Sequence, residues 1–325
     1  MQNLRDHLEH GQVGIYFGAV ALAASAALAL PGTAALEAAV NPALALMLFV
    51  TFLQVPLAEL GRAFTHTRFL AALLVTNFAV MPLLVAGLLP FAPDEPLVRL
   101  GILLVLLAPC IDYVVTFSHL GRADARLLLA ATPALLAAQM LMLPVYLRIL
   151  LGDGAAGLVQ PGPFIDAFVW LIAVPLLLAG AVQVWAGRSQ AGARASAVLG
   201  LLPVPATALV LFIVVASVLP QLGRAQEAAL GVVPVYIAFA LLAPLAGWLV
   251  ARLFKLEAPA GRAVAFSGAT RNSLVVLPLA LAVPGAVPLL PAIIVTQTLV
   301  ELVAELVYVR VIARFGQSSA NADTA

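Results

Sequence analysis

Residues 97–120 read LVRLGILLVLLAPCIDYVVTFSHL. A helix needs about 20 apolar residues to cross a hydrocarbon core, and this run is long enough. Its centre, however, is Ala108-Pro109-Cys110-Ile111-Asp112, where a proline removes a helix hydrogen bond and an acid sits among apolar neighbours. A second stretch repeats the pattern. Residues 261–283, GRAVAFSGATRNSLVVLPLALAV, are interrupted at Gly268-Ala269-Thr270-Arg271-Asn272-Ser273, and Pro278 follows. Cys110 and Asn272 stand 162 positions apart, half of the 325-residue chain. Interrupted helices at corresponding places in two halves predict a pair of broken helices crossing near the membrane midplane, where such transporters hold their cargo.

The composition agrees with life in lipid. Hydrophobic residues make up 64% of the chain and charged residues 10%, with 16 cationic and 15 acidic side chains. The mean hydropathy is +1.11. Soluble domains carry about 25% charged residues, so this chain has too few charges to coat a compact soluble body. Disorder is excluded by the same hydrophobicity. A net charge of +1 excludes a basic nucleic-acid surface. Cys110 is the one cysteine, so no intrachain disulfide forms. No phosphate-binding loop, zinc-protease motif or serine-nucleophile elbow occurs, and His7, His10, His66 and His119 are scattered. An enzyme is therefore not expected, and no cofactor is called for.

Apolar runs between polar, glycine and proline punctuation give ten spans: 12–30, 42–60, 69–90, 97–120, 125–151, 162–187, 195–220, 228–254, 261–283 and 287–314. No small-residue cleavage site follows the first run, which reads as a retained helix. With ten spans, one face holds Arg5, Arg62, Arg68, Arg122, Arg126, Arg188, Arg194, Arg252, Lys255, Arg262, Arg310 and Arg314. The other holds Arg99, Arg148 and Arg224, and Arg271 lies inside a span. That asymmetry puts both termini in the cytoplasm. Two sets of five spans must insert with opposite topology, which makes residues 1–157 and 158–325 an inverted repeat. The expected fold is an all-α polytopic membrane protein with broken fourth and ninth helices.

A charge in the bilayer interior is costly and marks a functional position by default. Asp112 and Arg271 read either as an ion pair locking the two breaks or as a proton-sensitive site where Arg271 attracts an anionic cargo. Glu301 and Glu305 lie one turn apart on the tenth span. Glu301 reads as a proton or cation carrier. Glu305 is expected to pair with a cytoplasmic arginine, with ion coupling as its second role. Asn77 and Gln139 are expected to hydrogen-bond between helices, and Gln297 and Thr298 read the same way. Thr270, Asn272 and Ser273 complete the candidate cargo site, with Pro109, Gly268 and Pro278 as its helix breakers. A thiol at Cys110, after Pro109, suits a thiophilic metalloid such as trivalent arsenic.

The stretch APCIDYVVTFSHLGRAD (108–124) resembles the fourth helix of arsenite permeases of the arsenical-resistance-3 type, in the bile acid:sodium symporter superfamily, which also carry a cysteine there. NFAVMPLL (77–84) and TLVELVAELVYVR (298–310) are similar to further segments of that family. The resemblance implies a panel domain of spans 1, 2, 6 and 7, a core domain of spans 3–5 and 8–10, and alternating access between them. The chain departs from the family on the ninth helix. Leu274 stands where the arsenite permeases carry a glutamate, and Ser267 and Arg271 stand where the sodium-coupled branch offers glutamate and glutamine. A cation at Arg271 argues against sodium there. The leading expectation is proton-coupled efflux of arsenite or antimonite from a bacterial inner membrane. The alternatives are an organic-anion carrier and, in another class, a channel or scaffold. The expected partners are a small-molecule or metalloid cargo and the bilayer, with a homodimer the one protein assembly considered.

Overall fold

The computed structural model describes residues 2–54, 66–111, 113–152, 162, 165–166, 168–281, 283, 285–286 and 288–317. Among them the chain is helical and forms no strand ladder. Helix α1 (Gln2–Ala29) turns at Gly32, whose φ of 87° suits a residue without a Cβ, into a 3-10 segment and α2 (Val40–Leu53). Helix α3 (Thr67–Val75) runs through a π turn (Thr76–Val80) into α4 (Met81–Leu88). Then come α5 (Pro96–Leu106), α6 (Tyr113–Leu120) and the long α7 (Ala125–Leu151). Helix α8 (Val174–Arg188), α9 (Gln190–Leu199) and α10 (Pro203–Val218) precede the long α11 (Gln226–Leu253). The chain closes with α12 (Ala258–Ala269), α13 (Ser273–Leu281) and α14 (Leu289–Val311).

Local chemistry sets these boundaries. The Asp124 carboxylate accepts the Leu127 N–H (3.1 Å) to start α7, and the Ser189 hydroxyl accepts the Gly192 N–H (3.0 Å) to start α9. Prolines open α5, α10 and α12, where their missing N–H costs nothing. Pro133 and Pro144 in α7 and Pro234 and Pro244 in α11 lie inside helices, a placement that membrane helices tolerate because neighbours satisfy the freed carbonyls.

Among the described residues, six helical segments are long and apolar enough to cross a membrane, and a seventh if α9 and α10 count as one. The protein is thus a multi-pass membrane protein. The count differs from ten for a physical reason. The stretch 97–120 is two short helices, α5 and α6, and 261–283 is α12 and α13, so neither contains one long continuous helix. The expected span 195–220 is also bent, by 42°, between α9 and α10. The halfway loop at 154–157 lies outside the described residues, as does the end of the second span beyond Gln54.

Helices α1, α2, α8 and α10 pack on one another. A second group is built from α3–α7 and α11–α14, and it meets the first where α10 touches α14 and α2 touches α13. Small residues let the second group close tightly. A Cβ on Gly247 of α11 would lie 3.0 Å from the Ala265 backbone of α12, and one on Gly101 of α5 would lie 2.8 Å from Ile293 of α14. The outer faces carry exposed leucines such as Leu83, Leu177 and Leu253, each more than 70% exposed, as lipid contact requires. A few charges are turned inward instead: Arg271 and Glu305 are both 0% exposed.

Candidate functional site

Where α5 ends at Leu106 and α12 ends at Ala269, the chain leaves helical geometry twice, and the two breaks meet. Pro109 and Arg271 form an isolated antiparallel bridge. The Cys110 N–H donates to Thr270 O (3.1 Å), and the Asn272 N–H donates to Ala108 O (2.7 Å). Buried backbone groups that leave a helix must find other partners, and here each break supplies them to the other. Gly268 permits the approach: a Cβ on it would lie 2.9 Å from Thr76 Cγ2, in the π turn of the neighbouring helix.

Arg271 occupies the centre. Its Nη1 donates to Leu106 O at the end of α5 (3.3 Å), and its Nη2 donates to Ser267 O (2.6 Å) and Gly268 O (2.5 Å) at the end of α12. Helix C-termini carry partial negative charge, so one guanidinium closes two of them at once. Nη2 also donates to Asn77 Oδ1 (3.0 Å) in the π turn, and the group lies 5.4 Å from the Phe239 ring centroid. Asn77 Nδ2 in turn donates to Ser267 Oγ (2.9 Å).

The carboxylates of α14 approach from the other side. Glu301 Oε2 accepts the Arg271 backbone N–H (2.7 Å) and Gln297 Nε2 (2.5 Å), and its Oε1 accepts the Tyr113 hydroxyl (2.5 Å). Three donors satisfy this carboxylate without water. Glu305 Oε1 lies 2.6 Å from Thr270 Oγ1, while its Oε2 has no partner among the described residues. The expectation that Glu305 pairs with a cytoplasmic arginine is corrected: its contact is Thr270, and it is fully buried. Asn272 Oδ1 accepts the Val275 N–H (3.2 Å) and so caps α13, and the Ser273 and Thr298 hydroxyls are 2.8 Å apart. Pro278 lies within α13.

The site thus gathers Pro109, Cys110, Gly268, Thr270, Arg271, Asn272, Ser273, Glu301 and Glu305 around one crossing. Asp112 lies outside the described residues. Gln139, expected to bond between helices, is buried with neither side-chain polar atom partnered among those residues. Tyr113 and Phe239 are additions that the sequence did not flag. An aromatic in an apolar run looks like core, and only the fold brings Tyr113 to Glu301, 188 positions away.

A cavity of about 450 Å³ lies between α1, α2, α6, α7 and α10, where the two helix groups face each other. Gln12, Thr51, Tyr113, His119, Arg126 and Thr207 give it polar walls, and no carboxylate is among its described lining residues. Tyr113 belongs both to this wall and to the Glu301 hydrogen bond. Cys110 is completely buried and is not part of the wall. Among the described residues no cluster of three or more potential ligands could hold a metal ion.

A multi-pass helical protein with two crossed helix breaks, buried charge at their crossing and a polar cavity beside them is of the membrane-transporter class. The chain belongs to the Sodium Bile acid symporter family, whose profile matches residues 41–224, more than half of its length. The match takes in the first break and the cavity-lining helices α2, α6, α7 and α10, and it ends before Arg271, Glu301 and Glu305. No curated protein matches the chain closely enough to stand beside it as a relative.

Proposed function

We propose that this protein is a secondary active transporter of organic anions that works by alternating access and is coupled to protons. One observation carries the reading: the cavity of about 450 Å³ has His119 and Arg126 but no carboxylate in its described lining. That volume falls in the range of small-molecule sites, roughly 300–1,000 Å³. The Arg126 guanidinium draws an anion in, and His119, the tyrosine and threonine hydroxyls and Gln12 orient it. Cargo in the cavity lies against Tyr113, whose hydroxyl donates to Glu301, and this residue links occupancy to the crossing.

In this reading ten crossings form two inverted repeats, 1–157 and 158–325. Helices α1, α2, α8 and α10 form the panel, the second helix group forms the core, and the breaks cross near the midplane. The protein resides in a bacterial inner membrane with both termini cytoplasmic. Arg271 supplies a fixed cation at the crossing, which argues for protons over sodium as the coupling ion.

A second reading, efflux of arsenite or antimonite, has one observation in its favour: Cys110 is part of the crossing itself, its N–H on Thr270 O. Two assays separate the readings. Purified protein in vesicles is tested for saturable uptake of labelled cholate driven by a pH gradient, and an arsenite-sensitive strain is tested for protection. Gradient-driven cholate uptake without protection supports the organic-anion reading. Protection that is lost in Cys110→Ser supports the metalloid reading. Failure of both returns the protein to a channel or scaffold.

A further inference from the structure

Among the described residues, the crossing buries one arginine and two carboxyl side chains, and their formal charges do not balance. Arg271 brings one positive charge, while Glu301 and Glu305 bring two carboxyl groups, all nearly or fully buried. A carboxylate left uncompensated in such a place is costly, so one of the two acids is expected to carry a proton.

The hydrogen bonds say which one. Glu301 accepts from the Arg271 backbone and from Gln297, and the Tyr113 hydroxyl lies 2.5 Å from its Oε1 against 3.4 Å from Arg271 O, so the one Tyr113 hydrogen goes to Glu301 and both carboxylate oxygens are occupied by donors. It is the ionised partner of Arg271. Glu305 is placed differently. Thr270 Oγ1 lies 2.8 Å from Phe266 O, a carbonyl that can only accept, and 2.6 Å from Glu305 Oε1. A hydroxyl has one hydrogen. With that hydrogen given to Phe266 O, the hydrogen between Thr270 and Glu305 must come from Glu305. The second oxygen, Oε2, has no partner among the described residues, which a neutral carboxyl tolerates better than a carboxylate.

We infer that Glu305 is a proton-binding site, held as the neutral acid and donating to Thr270 Oγ1, while Glu301 stays ionised throughout. This deepens the proposed proton coupling and rests on it only for the transport role, not for the protonation itself. The other titratable groups of the cluster are Glu301 and Tyr308 on α14, Arg271 and Cys110 at the breaks, Tyr113 on α6 and Tyr236 on α11. Helices α10 and α13, also packed against α14, carry no titratable side chain.

Release is a single O–H cleavage. The proton passes to water when the crossing opens, and the electron pair stays on the Glu305 carboxylate. The Thr270 hydrogen then turns from Phe266 O to Glu305 Oε1. Since Thr270 O is also the acceptor for the Cys110 N–H, the protonation state of Glu305 is read at the residue that joins the two breaks.

The test is infrared difference spectroscopy of the purified full-length protein at neutral pH, which needs no cargo. The expected result is a carbonyl stretch of a protonated, buried carboxyl that Glu305→Gln removes and Glu301→Gln retains. Thr270→Val should shift the band to higher frequency by taking away the acceptor of the O–H, and it serves as the second variant if Glu301→Gln does not fold. Absence of the band in the wild type, its loss in Glu301→Gln with retention in Glu305→Gln, or no shift in Thr270→Val would overturn the inference. In vesicles, Glu305→Gln should also remove the dependence of cholate transport on the pH gradient. A band assigned to Glu305 in a protein that moves no cholate would overturn the proposed function and leave the proton site standing.

Discussion

The two helix breaks meet through main-chain contacts of the same kind, yet their side chains have opposite chemistry. The described part of the first, Ala108-Pro109-Cys110-Ile111, is apolar, and its contribution is backbone: one carbonyl and one N–H given to the other break. The second, Thr270-Arg271-Asn272-Ser273, is wholly polar and supplies the guanidinium, the hydroxyl facing Glu305 and the cap of α13. One break therefore shapes the crossing and the other charges it. Four side-chain hydrogen bonds from α14 and the π turn end on the second.

Substitutions at four positions can break or sharpen this contrast. Arg271→Ala is expected to have the largest effect. It leaves three buried carbonyls and Asn77 Oδ1 without their donor, and a buried acceptor left unsatisfied costs about 1–3 kcal/mol. Thermal unfolding in detergent should register this, with cholate uptake lost in protein that still inserts. Arg271→Lys should recover little, since a point charge cannot fork to both helix ends. Next, Thr270→Val removes a buried hydroxyl and should lower stability by about 1–3 kcal/mol, read by the same melts. At the first break, Cys110→Ala deletes one small buried group and should cost only about 1 kcal/mol, with cholate transport retained. A larger loss at Cys110 than at Thr270 would reverse the comparison. Arg126→Ala, on an exposed cavity wall, should be the mildest: roughly a threefold rise in the KM for cholate, in keeping with the 0–1 kcal/mol of exposed charges and a tenfold change per 1.4 kcal/mol.

Legibility in the sequence followed the same division. Pro109 and Gly268 announced both breaks because helix breakers inside apolar runs are local signals, and Arg271 and Glu301 stood out as charges in lipid. What those charges touch was not legible. Asp112, one of the two readings for Arg271, lies outside the described residues, and the guanidinium bonds that the structure describes are to two helix ends and to Asn77, 194 positions away. Glu305 was expected at an arginine because its place near the end of α14 gives no sign that Thr270 lies against it. Tyr113 was missed because its hydroxyl becomes informative only when α6 and α14 pack. Among the described residues the long-helix count falls below ten because a broken helix keeps the hydropathy of a span without its length, and because the start of the expected span 162–187 lies partly outside those residues.

The most direct measurement is pH-gradient-driven uptake of labelled cholate into vesicles, without sodium, by wild type and Arg271→Ala side by side. The account predicts saturable uptake by the wild type and none by Arg271→Ala. Equal uptake by the two proteins, or no gradient-driven uptake by the wild type, would contradict it.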